Sequence, residues 1–231
     1  MKNQLFSVLL LSVIFILSIQ TTYAAMNFIH PGATNSKANL DFIKLQISNN
    51  KQPWLTEFNR LKKSALLSRK PHALQTVNSN NNNESAEMRD DAIAAYSLAL
   101  MWVITDREVY ATRAVAILNA WASFKGFTSG SQQDKLQAGW TGAVFASAAE
   151  LMRLYQGWPK NQVLNVQLMF KKAFYPQLLT TSSWNGNVDL TQIDALISIA
   201  VFNDDEEAFN MALTRLAQRN PAYFYLISDG K

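Results

Sequence analysis

Two long segments of the chain are apolar around their whole circumference, and they constrain the fold more than any other feature. Ala92–Ile104 contains almost no polar residue, and Leu190–Phe202 is comparably apolar. A helix that is hydrophobic on every side has to be covered by protein on every side. The sequence therefore predicts inner helices that are enclosed by a second set of helices.

The composition excludes several other architectures and site types. Glycine and proline together make up 14 of 231 residues, about half of their usual share, and an all-β sandwich or barrel needs more turn residues than that. The chain has no cysteine, which excludes disulfides, thiolate nucleophiles and cysteine-ligated metals. His30 and His72 are the two histidines, too few for a three-histidine metal site.

Amphipathic segments alternate with the apolar ones. After the apolar segment Ala92–Ile104, the residues Thr105-Asp106-Arg107-Glu108 have the pattern of a capping box, which predicts that Thr105 starts the next helix. Pro53 stands where the first residue of a helix is expected. Pro176 and Pro221 are interpreted as the residues at which two later helices stop.

The order of these segments predicts three helical hairpins, over residues 85–124, 132–175 and 188–219. Short connections make neighbouring helices antiparallel. One buried and one half-exposed helix in each hairpin indicates two concentric layers, so we expect an all-α protein, either an α/α toroid or a helical-repeat solenoid. No sequence repeat is visible, which favours the toroid.

The amino terminus has the pattern of a secretory signal. Lys2 precedes the apolar run Leu5–Ile19, and Thr22-Tyr23-Ala24 offers small residues for cleavage after Ala24. The alternative is an uncleaved anchor, but the run is shorter than the ~20 residues that span a bilayer. We expect residues 1–24 to be a signal peptide, residues 25–231 to be one domain, and the protein to be periplasmic or secreted without a stable membrane anchor.

The charge of the chain is compatible with an anionic partner. Residues 25–231 contain 20 Lys and Arg against 17 Asp and Glu, and no basic stripe of the kind that binds nucleic acid is present. We therefore expect no nucleic-acid partner, and we expect a monomer.

Two segments are candidates for a binding site because they combine aromatic, amide and small residues. In Trp184-Asn185-Gly186-Asn187, aromatic and amide groups could line a cleft, or the segment could be a turn with Asn187 as helix cap. Around Trp140, the glycines Gly139 and Gly142 indicate either space for a ligand or close helix packing.

Single residues elsewhere are weaker candidates. His72 follows a basic stretch and is either a binding residue or a solvated loop residue. Tyr223 and Tyr225 could act as acid or base, or could simply pack after Pro221.

The ordered set of these motifs resembles the alginate lyase domain family over nearly all of residues 25–231. The resemblance rests on six segments of the sequence, which are His30-Pro31-Gly32, Pro53-Trp54, the helix pair from Asp91 to Trp121, Gln137–Trp140, Trp184–Leu190 and Arg219–Gly230. It implies an α/α toroid, an exported protein and β-elimination of an anionic uronate polysaccharide such as alginate, without a metal or other cofactor.

The chemistry of that reaction shows which residue types it needs. The uronate carboxylate has to be neutralised while the C5 proton is removed, and an acid protonates the leaving oxygen. The resemblance implies that Asn187, or alternatively Asn185, neutralises the carboxylate, with Tyr223 or Tyr225 as acid or base. Trp140, Trp184, Asn185 and His72 are the expected substrate-binding residues.

The chain departs from the family pattern at two places. A histidine follows the asparagine in known alginate lyases, whereas Val188 follows Asn187 here. The family's Arg and Tyr are expected beyond Lys231, so we expect an incomplete toroid that lacks its C-terminal helices. The alternatives to a lyase are an inactive homologue that binds acidic glycans and a helical scaffold for protein partners.

Overall fold

The computed structural model describes residues 26–184 and 186–223, and within this part the regular secondary structure is almost entirely helical. The described residues form nine α-helices, which are α1 (Lys37–Ser48), α2 (Trp54–Lys62), α3 (Asn82–Thr105), α4 (Glu108–Trp121), α5 (Gln132–Met152), α6 (Lys160–Met169), α7 (Tyr175–Leu178), α8 (Asn187–Asn203) and α9 (Glu206–Tyr223). A 3₁₀ turn (Ala65–Ser68) follows α2, and a π-helical turn (Phe170–Phe174) joins α6 to α7. Two short strands, β1 (Thr76–Val77) and β2 (Gly126–Phe127), pair in parallel.

The three predicted hairpins are confirmed. They are α3 with α4, α5 with the run from α6 to α7, and α8 with α9. The first helix of each hairpin belongs to an inner layer, in which α5 packs between α3 and α8. Helices α4, α6–α7 and α9 form the outer layer, so the all-α, toroid-like fold expected from the sequence is confirmed.

Two glycines explain how closely α5 and α8 approach each other. A Cβ atom on Gly139 would lie 2.7 Å from Thr191 Oγ1 and 2.9 Å from its backbone carbonyl carbon. A Cβ atom on Gly142 would lie 3.3 Å from Ala195. Of the two interpretations of these glycines, close helix packing is therefore confirmed. It sets Gly139 of α5 opposite Thr191 of α8, and Gly142 opposite Ala195.

The core fills the space between the two layers. It is rich in aromatic residues, with Trp121 and Phe124 from the first hairpin against Phe145 of α5 and Phe174 of the π-helical turn. Because the inner helices bury their outward sides in this core, the side that faces away from the outer layer is left for other contacts.

Several helix boundaries differ from the sequence predictions. The capping-box prediction was wrong. Thr105 is the last residue of α3, and its hydroxyl donates to the Met101 carbonyl. The N-cap of α4 is Arg107. Pro53 is the N-cap of α2 and not its first helical residue. Pro176 and Pro221 do not stop their helices. Pro176 lies in the first turn of α7, and Pro221 lies in the last turn of α9.

No helix in the described part of the chain is both long enough and apolar enough to span a membrane.

Candidate functional site

Helix α8 leaves only one narrow side open. Its contacts with α5 use Thr191, Ala195 and Ile199, and its polar contacts with the outer helices use Asp189 and Gln192. Asn187 and Asp194 are the two exposed residues of α8, and a spacing of seven places them on the same side of a helix. That side is opposite to the outer layer.

Side chains of the two other inner helices line a common recess. Trp140 on α5 is 43% exposed, next to the glycine that contacts α8. Arg89 on α3 is half-buried, and its guanidinium lies 3.3 Å from the side-chain oxygen of Gln137. We call the surface formed by Arg89, Trp140, Asn187 and Asp194 the inner face.

A recess of about 230 Å³ lies on the inner face between α3 and α5. Its lining combines the Arg89 side chain, the plane of Trp140 and the apolar side chains of Ile93 and Val144. An aromatic plane beside a cation suits an anionic sugar, because the ring packs on the apolar face of the sugar while the guanidinium binds a carboxylate.

A larger recess of about 580 Å³ lies on the outer layer between α4 and α6. Lys125 and Lys172 contribute its positive charge, and Asn119 contributes an amide. The Asn119 side chain is occupied, since it donates to Gln162 and accepts from Trp158 at 3.0 Å. This outer recess is the alternative position for an anionic ligand.

Hydrogen bonds to α5 hold the segment that leads into α8. Gln132, the first residue of α5, accepts hydrogen bonds from the Ser182 hydroxyl at 2.8 Å and from the Ser183 amide at 3.1 Å. Lys135 donates to the carbonyls of Thr180 and Thr181. These contacts hold Trp184, which is 43% exposed, close to the amino-terminal ends of α5 and α8.

A buried ionic network supports the same segment from the outer side. Asp189 of α8 accepts from Arg215 Nε at 3.0 Å and from Arg219 Nε at 2.5 Å. Arg215 also donates to the Leu178 carbonyl at 2.8 Å and to Gln192 at 2.9 Å. The network therefore fastens α9 and the end of α7 to the first turns of α8.

The two aspartates of α8 have opposite electrostatic surroundings. Burial acts to raise the pKa of Asp189, but the hydrogen bonds and charges of Arg219 and Arg215 outweigh it and lower the pKa below its usual value. Desolvation by the protein atoms around it raises the pKa of Asp194, although a part of its side chain is exposed. Among the described residues, none forms an ion pair or hydrogen bond with the Asp194 carboxylate.

The amino-terminal segment, residues 26–36, covers the other end of the inner layer. Thr34 bonds to Ser147 of α5 at 3.0 Å, and Asn35 donates to the Tyr96 hydroxyl of α3 at 2.7 Å. His30 bridges Glu150 of α5, at 2.5 Å, and Asp204 after α8, at 2.9 Å. This segment therefore covers the carboxyl-terminal ends of α5 and α8, and it leaves Trp140 and Asn187 exposed.

Of the residues predicted from the sequence, Trp140 and Asn187 are exposed on the neighbouring inner helices α5 and α8, and Trp184 is exposed in the loop that precedes α8. Asn187 is the first residue of α8, and Gly186 is the N-cap, so Asn187 does not have the capping role that was its alternative interpretation. Asn185 and Tyr225 lie outside the described residues. Tyr223 is the last residue of α9, and only its backbone is described.

The structure does not bring His72 to the inner face. Its backbone amide donates to Asp91 at 2.7 Å, and its ring lies 3.6 Å from Glu87. Asp91 is fully buried and also accepts from Trp121, a core residue of the outer helix α4. These contacts place His72 on the outer side of α3, away from Arg89.

Sequence reasoning missed Arg89 and Asp194. Each is a charged residue next to or within an apolar segment, since Arg89 precedes Ala92–Ile104 and Asp194 interrupts Leu190–Phe202. A charge at such a position was the signal that could have identified both.

Comparisons with known proteins agree with this architecture. Three solved structures of alginate lyase A1-III share the fold. A histidine-to-alanine variant complexed with a tetrasaccharide has a TM-score of 0.62 and 20% identity, over 78% of this chain and 55% of that one. The enzyme from Sphingomonas species A1 has a TM-score of 0.62 and 18% identity, over 78% and 57%.

A tyrosine-to-phenylalanine variant complexed with a tetrasaccharide has a TM-score of 0.63 and 20% identity, over 78% of this chain and 56% of that one. The chain thus spans little more than half the length of these structures. No curated protein sequence matches it significantly. The family model for alginate lyase matches residues 33–223, and the chain therefore belongs to the alginate lyase family.

Proposed function

We propose that the protein is an exported polysaccharide lyase that cleaves alginate or a related polyuronate by β-elimination. The observation that carries the proposal is the inner face of a chain of the alginate lyase family, where Arg89 and Trp140 line one recess and Asn187 is exposed at the start of the next inner helix. The solved relatives that were complexed with a tetrasaccharide support a sugar polymer as ligand.

The residues of the inner face suit the electrostatic part of the reaction. Removal of the C5 proton places negative charge on the uronate carboxylate, and fixed donors stabilise that charge. Asn187 supplies an amide donor in the first turn of α8, where the helix dipole also favours an anion. Arg89 supplies a charged donor that binds a second uronate of the chain or approaches the same carboxylate.

The proton-transfer groups are the part of the proposal that depends on the family resemblance. Tyr223 and Tyr225 are the proposed acid or base, acting on C5 and on the leaving oxygen. Export rests on Lys2, Leu5–Ile19 and the cleavage pattern before Ala25, and we propose a periplasmic or secreted monomer.

The test is to incubate the full chain with polymannuronate, polyguluronate and glucuronan and to follow the ultraviolet absorbance of the unsaturated product. We expect a rise with at least one of the three polymers, and the same assay on Asn187→Ala should show at least a tenfold slower rise. A flat signal with all three polymers would contradict lyase activity of this chain.

A specific observation favours a second candidate, a glycan-binding homologue without lyase activity. Val188 stands where the family resemblance places a histidine, and its side chain is buried, with 3% exposed. A buried valine supplies neither a base nor a hydrogen-bond donor to a substrate. Binding of oligouronates by calorimetry, together with no unsaturated product, would select this candidate over the lyase.

A further inference from the structure

Asp194 is a carboxylate on the inner face for which the proposed elimination has no use. It lies in the middle of α8 between Ile193 and Ala195, which are both buried, and yet its own side chain is exposed. Its exposed side is that of Asn187, because the two residues are seven positions apart.

The spacing along α8 places Asp194 at a different sugar unit from Asn187. Seven residues of α-helix rise about 10.5 Å, which is too far for both side chains to act on one pyranose ring. The level of Trp140 lies between the two residues, because the adjacent Gly139 touches Thr191. Asn187 and Asp194 therefore follow the axis of α8, and Trp140 stands on the neighbouring helix α5 at a level between them.

Among the described residues, several charged groups on the elements around α8 bind partners other than Asp194. On α5, Lys135 donates to Thr180 and Thr181, and Glu150 accepts from His30 and Gly32. On α9, Arg215 and Arg219 bind Asp189. On α3, the Arg89 guanidinium lies against Gln137.

We propose that Asp194 is a specificity-determining residue of the polysaccharide groove, which accepts hydrogen bonds from sugar hydroxyls and, when ionised, excludes a carboxylate from its subsite. This inference rests on the proposed function. An uncompensated carboxylate repels a uronate carboxylate, whereas a sugar hydroxyl donates to it. The ligand class at this position is accordingly a sugar unit that turns hydroxyls, and not its carboxylate, toward α8.

Charge removal on the full chain tests the inference. The probe is an oligomannuronate, titrated by calorimetry at about pH 5 and about pH 8, a range in which uronates stay ionised. The proteins are the wild type, Asp194→Asn, Asp194→Glu and the control Glu207→Gln, which removes an exposed carboxylate from the outer helix α9.

The wild type is expected to bind more tightly at the lower pH, where the Asp194 carboxyl is protonated more often. Asp194→Asn should bind about fivefold more tightly than the wild type at the higher pH, the value of one like-charge repulsion in water-like surroundings, and should lose most of the pH difference. Asp194→Glu and Glu207→Gln should keep the pH difference.

The outcomes separate this inference from the proposed function. Equal binding of Asp194→Asn and the wild type at both pH values would contradict the proposed role of Asp194. The same effect in Glu207→Gln as in Asp194→Asn would also contradict it. Neither result would contradict the proposed function. If neither the wild type nor any variant binds oligomannuronate, oligoguluronate or oligoglucuronate, the proposed function fails, and the inference fails with it.

Discussion

Each of two sides of helix α8 carries an aspartate, and the surroundings of the two carboxylates are opposite. On the side that faces α9, Asp189 is fully buried and held by Arg215 and Arg219. On the side that faces away from the outer layer, Asp194 is exposed and has no described partner. Buried ion pairs thus fix the outer side of α8, whereas its other side exposes a carboxylate with which no described residue pairs.

The largest expected effect comes from breaking the buried network. Asp189→Asn leaves two guanidinium groups without their carboxylate, and we expect the free energy of unfolding to fall by about 3–5 kcal/mol. Urea denaturation at neutral pH measures it. The matched control is Asp194→Asn, which should change stability by less than about 0.5 kcal/mol. Equal effects of the two substitutions would remove the distinction between the two sides.

The next effect concerns the cation of the inner face. Arg89→Ala removes one charge-assisted hydrogen bond to a uronate, worth about 1.5–3 kcal/mol, so oligouronate affinity should fall roughly tenfold or more in a calorimetric titration. Arg60→Ala is the control, because Arg60 is an exposed arginine on α2 that pairs with Glu57. An equal loss of affinity in the control would mean that net charge, and not the inner face, attracts the ligand.

A smaller effect is expected from the exposed tryptophans, which are equally exposed at 43% but lie at different places. Trp140→Ala removes an aromatic plane from the inner recess, and we expect affinity to fall by about three- to tenfold, as for other aromatic contacts. Trp184→Ala acts at the loop before α8 and should weaken binding less. A larger loss of affinity in Trp184→Ala than in Trp140→Ala would place the centre of the binding site at the loop before α8.

The smallest effect concerns the pH dependence of stability. The lowered pKa of Asp189 contributes stability above its unfolded pKa, which is lost as the pH falls through its folded pKa. The raised pKa of Asp194 acts oppositely, because ionisation then costs stability as the pH rises from the unfolded to the folded pKa. Urea denaturation across acid pH should show that Asp189→Asn flattens the loss at low pH, whereas Asp194→Asn preserves it.

Much of the fold could be predicted from the sequence because it follows from helical patterning. The apolar segments Ala92–Ile104 and Leu190–Phe202 lie within α3 and α8, and the three hairpins follow the expected order. Capping at Thr105 and the stops at Pro176 and Pro221 failed, because tertiary packing decides boundaries that local propensity only biases. Pro176 costs no regular hydrogen bond in the first turn of α7, because the N–H groups of a first turn have no partner within the helix.

The site was predictable only in part. Trp140 and Asn187 could be proposed from the sequence because aromatic and amide residues beside glycines stand out, and their roles stay predictions. Arg89 and Asp194 were missed because their importance depends on which side of a helix they occupy, and contacts with α5 and α9 determine that side. His72 was misleading, since its basic neighbour Arg69 binds the buried Asp91 at 2.5 Å, and the basic stretch thus has a partly structural role.

The measurement that tests the inner face most directly compares it with the outer recess. Oligouronate titrations would use two double variants, Arg89→Ala with Asn187→Ala on the inner face and Lys125→Ala with Lys172→Ala on the outer recess. If the ligand binds at the inner face, the first variant loses at least tenfold in affinity and the second binds like the wild type. Full binding by the first variant, with loss in the second, would contradict the assignment of the groove to the inner face.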